Sequence, residues 1–183
     1  MGAFVARLPI RTPRTLVRRL CVDDLEAFQA YRTDPEVGRY QGWSALSEAA
    51  ARHFLEEMNA IEGLRLGDWV QLGIGEAGTG ALIGDIGLYV TPDGEEAEIG
   101  FALGRPYQGR GLAAEAIEAT IGLLFESNPR TERIRAVTDA RNGACIRLLE
   151  RLGLQRAAEQ QAIFRGEPCI EYVYRGNRGT LHG

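Results

Sequence analysis

One stretch constrains this chain more than any other: Leu103-Gly104-Arg105-Pro106-Tyr107-Gln108-Gly109-Arg110-Gly111-Leu112-Ala113-Ala114. It joins a strand-like segment, residues 97–103, to a long helical pattern. In that pattern Leu112, Ala116, Ile117, Thr120, Ile121, Leu124 and Phe125 recur at three- and four-residue steps, the stripe of a helix with one buried face. The first turn of a helix carries unpaired N–H groups and a partial positive charge. Such an end binds anions, phosphates above all. Gly109, Gly111, Ala113 and Ala114 give a phosphate room to approach the backbone, and Arg110 adds a charge.

The segments on either side decide what surrounds this turn. Residues 1–13 read as a loose tail closed by Pro13, and residues 15–20 as a short strand. Asp23 and Asp24 stand where a helix bearing Leu25, Phe28 and Tyr31 needs a cap, and Asp34-Pro35 stops that helix. Ser47 and Glu48 open a second helix with Phe54, Leu55 and Met58 on one face. Residues 69–74, 81–90 and 97–103 then read as strands. A glycine turn ending at Gly80 and the Pro92-Asp93-Gly94 turn separate them, so they form antiparallel hairpins. After the long helix come a strand at 133–137 and a helix from Asn142 to Gly153 with Ile146, Leu149 and Leu152 facing inward. Two strands, around 162–164 and 169–174, finish the pattern, joined by Arg165-Gly166-Glu167-Pro168. The expectation is one α+β domain over residues 1–183. It has a mixed, mostly antiparallel seven-stranded sheet with helices on both faces.

Composition narrows the function. The net charge is −4 with acids and bases interspersed, and no basic stripe marks a nucleic-acid partner. No apolar run reaches the length of a membrane span, and the N-terminus lacks a signal-peptide pattern. Cys21, Cys145 and Cys169 are scattered and the only histidines are His53 and His182, so neither a disulfide framework nor a metal site is expected. Free cysteines fit the reducing cytoplasm. Among phosphate loops, the nucleotide P-loop needs Gly-Lys-Ser/Thr, which is absent. Gly109-x-Gly111-x-x-Ala114 matches the dinucleotide spacing G-x-G-x-x-A, but that fold needs successive parallel strand–helix–strand units, and here hairpins precede the loop.

A third loop fits in both spacing and place: Gln108-x-x-Gly111-x-Ala113 satisfies Gln/Arg-x-x-Gly-x-Gly/Ala after the fourth strand. With it come Asp34-Pro35-Glu36-Val37, Ile83-Gly84-Asp85-Ile86-Gly87-Leu88, Glu98-Ile99-Gly100-Phe101-Ala102-Leu103, Asn142-Gly143-Ala144-Cys145 and Leu148-Leu149-Glu150-Arg151-Leu152-Gly153-Leu154. In this joint order, from about residue 16 to 175, the chain resembles the GNAT superfamily of N-acetyltransferases, and most of all its RimJ/RimL-type branch. The resemblance implies acetyl-CoA as co-substrate, a primary amine as acceptor, and direct transfer between them. It implies that the fourth strand splays from the fifth, so that Phe101, Ala102 and Leu103 hydrogen-bond the pantetheine arm. The amides of Gly109, Arg110, Gly111, Leu112, Ala113 and Ala114 would then hold the pyrophosphate. Asn142 would bind the pantetheine or position the last helix. Dimers are frequent in this branch, which leaves a homodimer open.

The match departs at the general acid. The tyrosine that many relatives carry seven residues after the asparagine is Leu149 here. The serine that some RimL-like enzymes carry three residues after it is Cys145, a poorer donor. Cys145, water or no acid at all would then serve the leaving thiolate. Glu98 leads as base, against the alternative of a solvated glutamate paired with an arginine; Asp85 is second. Residues 40–44 either line the acceptor pocket or only link two helices. His53 reads as surface or packing, Arg18 and Arg19 as strand decoration, and Cys21 and Cys169 as small buried hydrophobes. Two other outcomes stay open: an acyl-CoA-binding sensor without catalysis, and a transferase of another acyl group such as succinyl.

Overall fold

The computed structural model describes residues 2–181. A short helix α1 (Gly2–Ala6) and strands β1 (Ile10–Arg11) and β2 (Thr15–Arg19) lead through a 3-10 turn at Val22–Asp24 into helices α2 (Leu25–Arg32), α3 (Pro35–Gly38) and α4 (Glu48–Ala60). Strands β3 (Trp69–Glu76), β4 (Leu82–Val90) and β5 (Glu96–Leu103) follow, then a 3-10 turn at Arg105–Tyr107 and helix α5 (Leu112–Ser127). Strand β6 (Arg133–Asp139), helix α6 (Gly143–Arg151), strands β7 (Gln155–Phe164) and β8 (Glu167–Asn177) and helix α7 (Arg178–Leu181) complete the order. His182, one of the two histidines noted above, lies outside the described residues.

Among the described residues one sheet runs β1-β2-β3-β4-β5-β6-β8-β7, antiparallel everywhere except between β5 and β6. It therefore has eight strands, not seven. The additional strand comes from the segment expected to be a loose tail, and that expectation is corrected as well. Phe4 and Val5 are buried in the main core against α5, and β1 pairs with β2. Phe4 and Val5 on one helical turn dock it together with the partly buried Leu8 and Ile10, and Pro9 and Pro13 flank an edge strand that tolerates them.

Helices cover both faces. On one, the apolar stripe of α5 packs on Val17, Ile86, Leu88, Ile99 and Ile134. On the other, Phe28 and Tyr31 of α2 and Ala51 and Leu55 of α4 pack on Leu20, Leu82 and Ala102. Helix starts follow local chemistry: Ser47 Oγ accepts from the Ala50 N–H at 3.2 Å, and Asp34 Oδ1 from the Glu36 N–H at 2.9 Å. Asp24 precedes α2 but does not cap it. Its carboxylate instead accepts from Arg18 at 2.6 Å and 2.8 Å and from the Cys21 amide at 2.9 Å, which ties β2 to the turn.

Candidate functional site

The sheet opens at its centre. Strands β5 and β6 pair only through residues 96–98 and 133–135, although β6 continues along β8 to Asp139. On its other edge β5 stays paired with β4 up to Leu103. The bonds Thr91 N–H to Glu96 O and Gly104 N–H to Ile83 O set the phase of that ladder. Antiparallel alternation then turns the backbone groups of Ile99, Phe101 and Leu103 away from β4, into the gap. Two side-chain amides reach those carbonyls: Gln41 Nε2 donates to Phe101 O at 3.0 Å and Gln108 Nε2 to Leu103 O at 2.8 Å.

The gap widens into a cleft of about 480 Å³ that ends at the first turn of α5. Its wall brings together Phe101, Ala102, Leu103, Gln108, Gly109, Gly111, Leu112, Ala113, Ala114, Asn142 and Cys145, residues far apart in sequence and singled out above. Gly109 and Gly111 adopt φ of +70° and +77°, which a side chain would strain, and Gly111 is the N-cap of α5. Arg110 is the exception. It does not line the wall, and its carbonyl accepts from Arg14 Nη1 at 2.8 Å. A loop closing on two left-handed glycines turns that residue outward.

The Oδ1 of Asn142 accepts from the Cys145 N–H at 3.2 Å and caps α6 while the residue lines the cleft. Burial raises the Cys145 thiol above its usual range, and a hydrogen bond with Thr138 only partly offsets this, so the group is a neutral thiol at pH 7. Leu149, at the position of the tyrosine, is fully buried in the core.

Glu98 is not on the cleft wall. Its carboxylate pairs with Arg135 of the neighbouring strand, directly beside it in the β5–β6 register. Of the two readings of Glu98, the arginine-paired glutamate is the one the geometry displays. Asp85 is 1% exposed and accepts from the Tyr31 hydroxyl at 2.5 Å, from Arg32 Nη2 at 2.7 Å and from Gln71 Nε2 at 2.7 Å. Burial and the adjacent carboxylate raise the Tyr31 hydroxyl well above its ordinary value, which keeps it a donor. Asp85 thus clamps α2 to the sheet.

Sequence reasoning gave no site role to several wall residues: Glu36, Arg39, Tyr107, Arg147 and Arg151. Glu36 is the one carboxylate on that wall among the described residues. The loop at 40–44 contributes Tyr40 and Gln41, whereas Trp43 stacks under Arg32, 4.3 Å from its guanidinium carbon, and Trp69 packs on Tyr89 away from the cleft. His53 is exposed beside Glu57. Cys21 and Cys169 are partly exposed rather than buried, since both sit at the ends of hairpins or turns. Among the described residues no group of acids, cysteines and histidines is arranged to hold a metal ion, and no helix is long and apolar enough to cross a membrane.

Comparison with known proteins agrees with this architecture. The family model of the acetyltransferase (GNAT) domain matches residues 14–155. The uncharacterized N-acetyltransferase YoaA of Bacillus subtilis is 30% identical over 169 residues, covering 90% of this chain and 94% of its own. An acetyltransferase of the GNAT family from Bacillus anthracis superposes with a TM-score of 0.81 at 25% identity, over 93% of this chain and 98% of its own. The ribosomal-protein-S5-alanine acetyltransferase of Vibrio fischeri shares the fold, with a TM-score of 0.74 at 16% identity over 93% and 96% of the two chains. With a strand edge opened beside a glycine-capped helix and the family match spanning both, this chain belongs to the GNAT family of acetyltransferases.

Proposed function

We propose that the chain moves an acetyl group from acetyl-CoA to a primary amine, with a protein N-terminus as the first acceptor to test and a small amine as the second. The observation that carries this reading is the unpaired edge of β5 leading into the N-terminus of α5, an extended acceptor–donor rail that ends in an anion site. The amides of the loop from Gly109 to Ala114 hold the diphosphate. The cleft-facing groups of Phe101 and Leu103 pair with the pantetheine amides as an added strand would. Gln41 and Gln108 occupy those carbonyls in the free enzyme and must share or release them.

The amine nitrogen attacks the thioester carbonyl, the N–C bond forms, and the C–S bond breaks. Backbone N–H groups of β5 stabilise the charge that develops on the carbonyl oxygen. Glu36, on the wall, takes the amine proton in place of Glu98. The Cys145 thiol donates a hydrogen bond to the departing thiolate, which solvent then protonates. Positioning supplies much of the acceleration. Three free cysteines support a reducing setting such as the cytoplasm for the reaction.

The test is transfer itself. The chain is incubated with acetyl-CoA or succinyl-CoA and a panel of peptides with free N-termini and small amines, and CoA release and acylated product are followed. The chain contains no lysine, so its own ε-amines cannot consume the donor. Acetyl transfer to one amine class supports the reading. Binding of acetyl-CoA with no transfer to any amine favours the sensor, and preference for succinyl-CoA favours the other donor.

A further inference from the structure

We propose that Arg165, in the turn between β7 and β8, is a positioning residue: it fixes the α3 wall of the cleft and so sets where the acceptor amine meets the thioester. The inference rests on the acyl-transfer reading above. The wall in question is slight. Helix α3 is a single turn of four residues, of which Val37 and Gly38 are buried. A helix this short has little stability of its own and stands only where its surroundings hold it. Yet Glu36, the proposed proton acceptor, lies two residues before Gly38 on this wall, and Gln41, which reaches the Phe101 carbonyl, lies three after it.

The Gly38 carbonyl is where the wall is tied. It accepts from the Gln41 N–H at 3.1 Å and from Arg165 Nη2 at 3.0 Å, a bond between residues 127 apart in sequence. A cation at the last carbonyls of a helix is favourable. A Cβ on Gly38 would lie 3.8 Å from the same nitrogen and 3.5 Å from the Trp43 ring, so the guanidinium stands close against this backbone. The bonds run on to the opened strand, because Gln41 Nε2 donates to Phe101 O at 3.0 Å. The turn itself does not ask for arginine. Phe164 pairs with Glu167, so Arg165 and Gly166 are its two central residues, at φ of +53° and +83°. Two positive φ values make a type I′ hairpin turn, whose first position favours asparagine, aspartate or glycine. A long side chain is disfavoured there by the backbone, and its place is accounted for by what it reaches.

Arg165→Asn separates the two roles, because asparagine suits the turn and is too short to reach α3. Transfer to the best acceptor of the panel and calorimetric titration with acetyl-CoA are measured for the wild type, R165N and R165K, each with a thermal melt. R165N is expected to melt at or above the wild-type midpoint and to bind acetyl-CoA within about twofold of it, yet to lose about tenfold in kcat/KM for the acceptor, the order of a small displacement of the reacting groups. R165K, which can still donate to one carbonyl, recovers part of that loss. Unchanged acceptor kinetics in R165N overturn the inference. So does an R165N protein that melts several degrees lower and loses acetyl-CoA affinity in the same proportion as turnover, since Arg165 would then only brace the fold. If the wild type transfers to no amine, the acyl-transfer reading itself fails and takes the inference with it.

Discussion

Replacing Asp85 by alanine is expected to damage the fold, not the chemistry. The carboxylate is 1% exposed and collects three partners: the Tyr31 hydroxyl, Arg32 and Gln71. Truncation leaves the Arg32 side chain, 9% exposed, without a counter-charge. Breaking one side of a buried pair costs about 3–5 kcal/mol. The orphaned Tyr31 hydroxyl adds to that within the same network, so the sum is not additive, and about 3–5 kcal/mol stands for the whole. For a domain of this length each kcal/mol lowers the midpoint by about 2–4 °C, so the variant should melt about 6–20 °C below the wild type. The Arg32→Met/Asp85→Ala double variant removes the orphan charge and should lose less than the two single losses added together, although Arg32 also stacks on Phe28 and Trp43. Thermal and urea melts followed by circular dichroism measure both. A D85A protein that melts within 2 °C or so of the wild type yet has lost turnover at saturating substrate would refute the reasoning, because Asp85 would then act on the substrate.

Other substitutions separate the roles assigned in the cleft. Glu36→Gln is expected to lower kcat/KM about a hundredfold, the order of one lost proton acceptor, and Glu98→Gln to leave it within about twofold; the reverse pattern would return the base to Glu98. Cys145→Ser, a better donor at the same site, should retain or raise turnover, whereas Cys145→Ala should lower it about tenfold; equal rates in both would remove the thiol from the mechanism. Burial alone would raise the Asp24 carboxyl, but the hydrogen bonds from Arg18 and Cys21 outweigh it and hold the group below its ordinary value of 3.8. A group depressed in the folded state contributes stability that is complete above the unfolded value and lost as pH falls through the folded one. The stability gap between wild type and Asp24→Asn should therefore be flat above about pH 5 and shrink below about pH 4. Urea midpoints across pH measure it, and a gap that grows on acidification contradicts the assignment.

The central hairpins, the long helix and the glycine loop were legible because each carries its own local signal: period-two apolar residues, turn residues, or a stripe at helical spacing. The α5 stripe follows from these signals, whereas the joint placement of Gln108, Gly111 and Asn142 on one wall was implied only by the family resemblance. The first half of β7 was not legible. Its run Gln155-Arg156-Ala157-Ala158-Glu159-Gln160-Gln161 is polar and exposed, and only pairing with β8 makes it a strand. The docked N-terminal segment rests on Phe4 and Val5, with Leu8 and Ile10 partly buried beside them, a spacing with neither a strand nor a long-helix period. Which of the two readings of Glu98 the geometry displays was not legible, because a parallel register, invisible in sequence, sets it beside Arg135. No local signal marks Arg147 and Arg151 as wall residues; only the fold brings α6 alongside the start of α5.

The central claim is that the cleft at the β5–β6 opening receives acetyl-CoA, and the most direct test is thermal unfolding with and without it. At a hundredfold excess over its dissociation constant a ligand adds about 2.7 kcal/mol, which for this chain raises the midpoint by roughly 5–10 °C. The account predicts that rise with acetyl-CoA, none with NADH, and its loss in Gly111→Val, where a branched side chain enters a backbone at φ +77° beside the proposed anion site. No rise with saturating acetyl-CoA, or an equal rise with NADH, would contradict it.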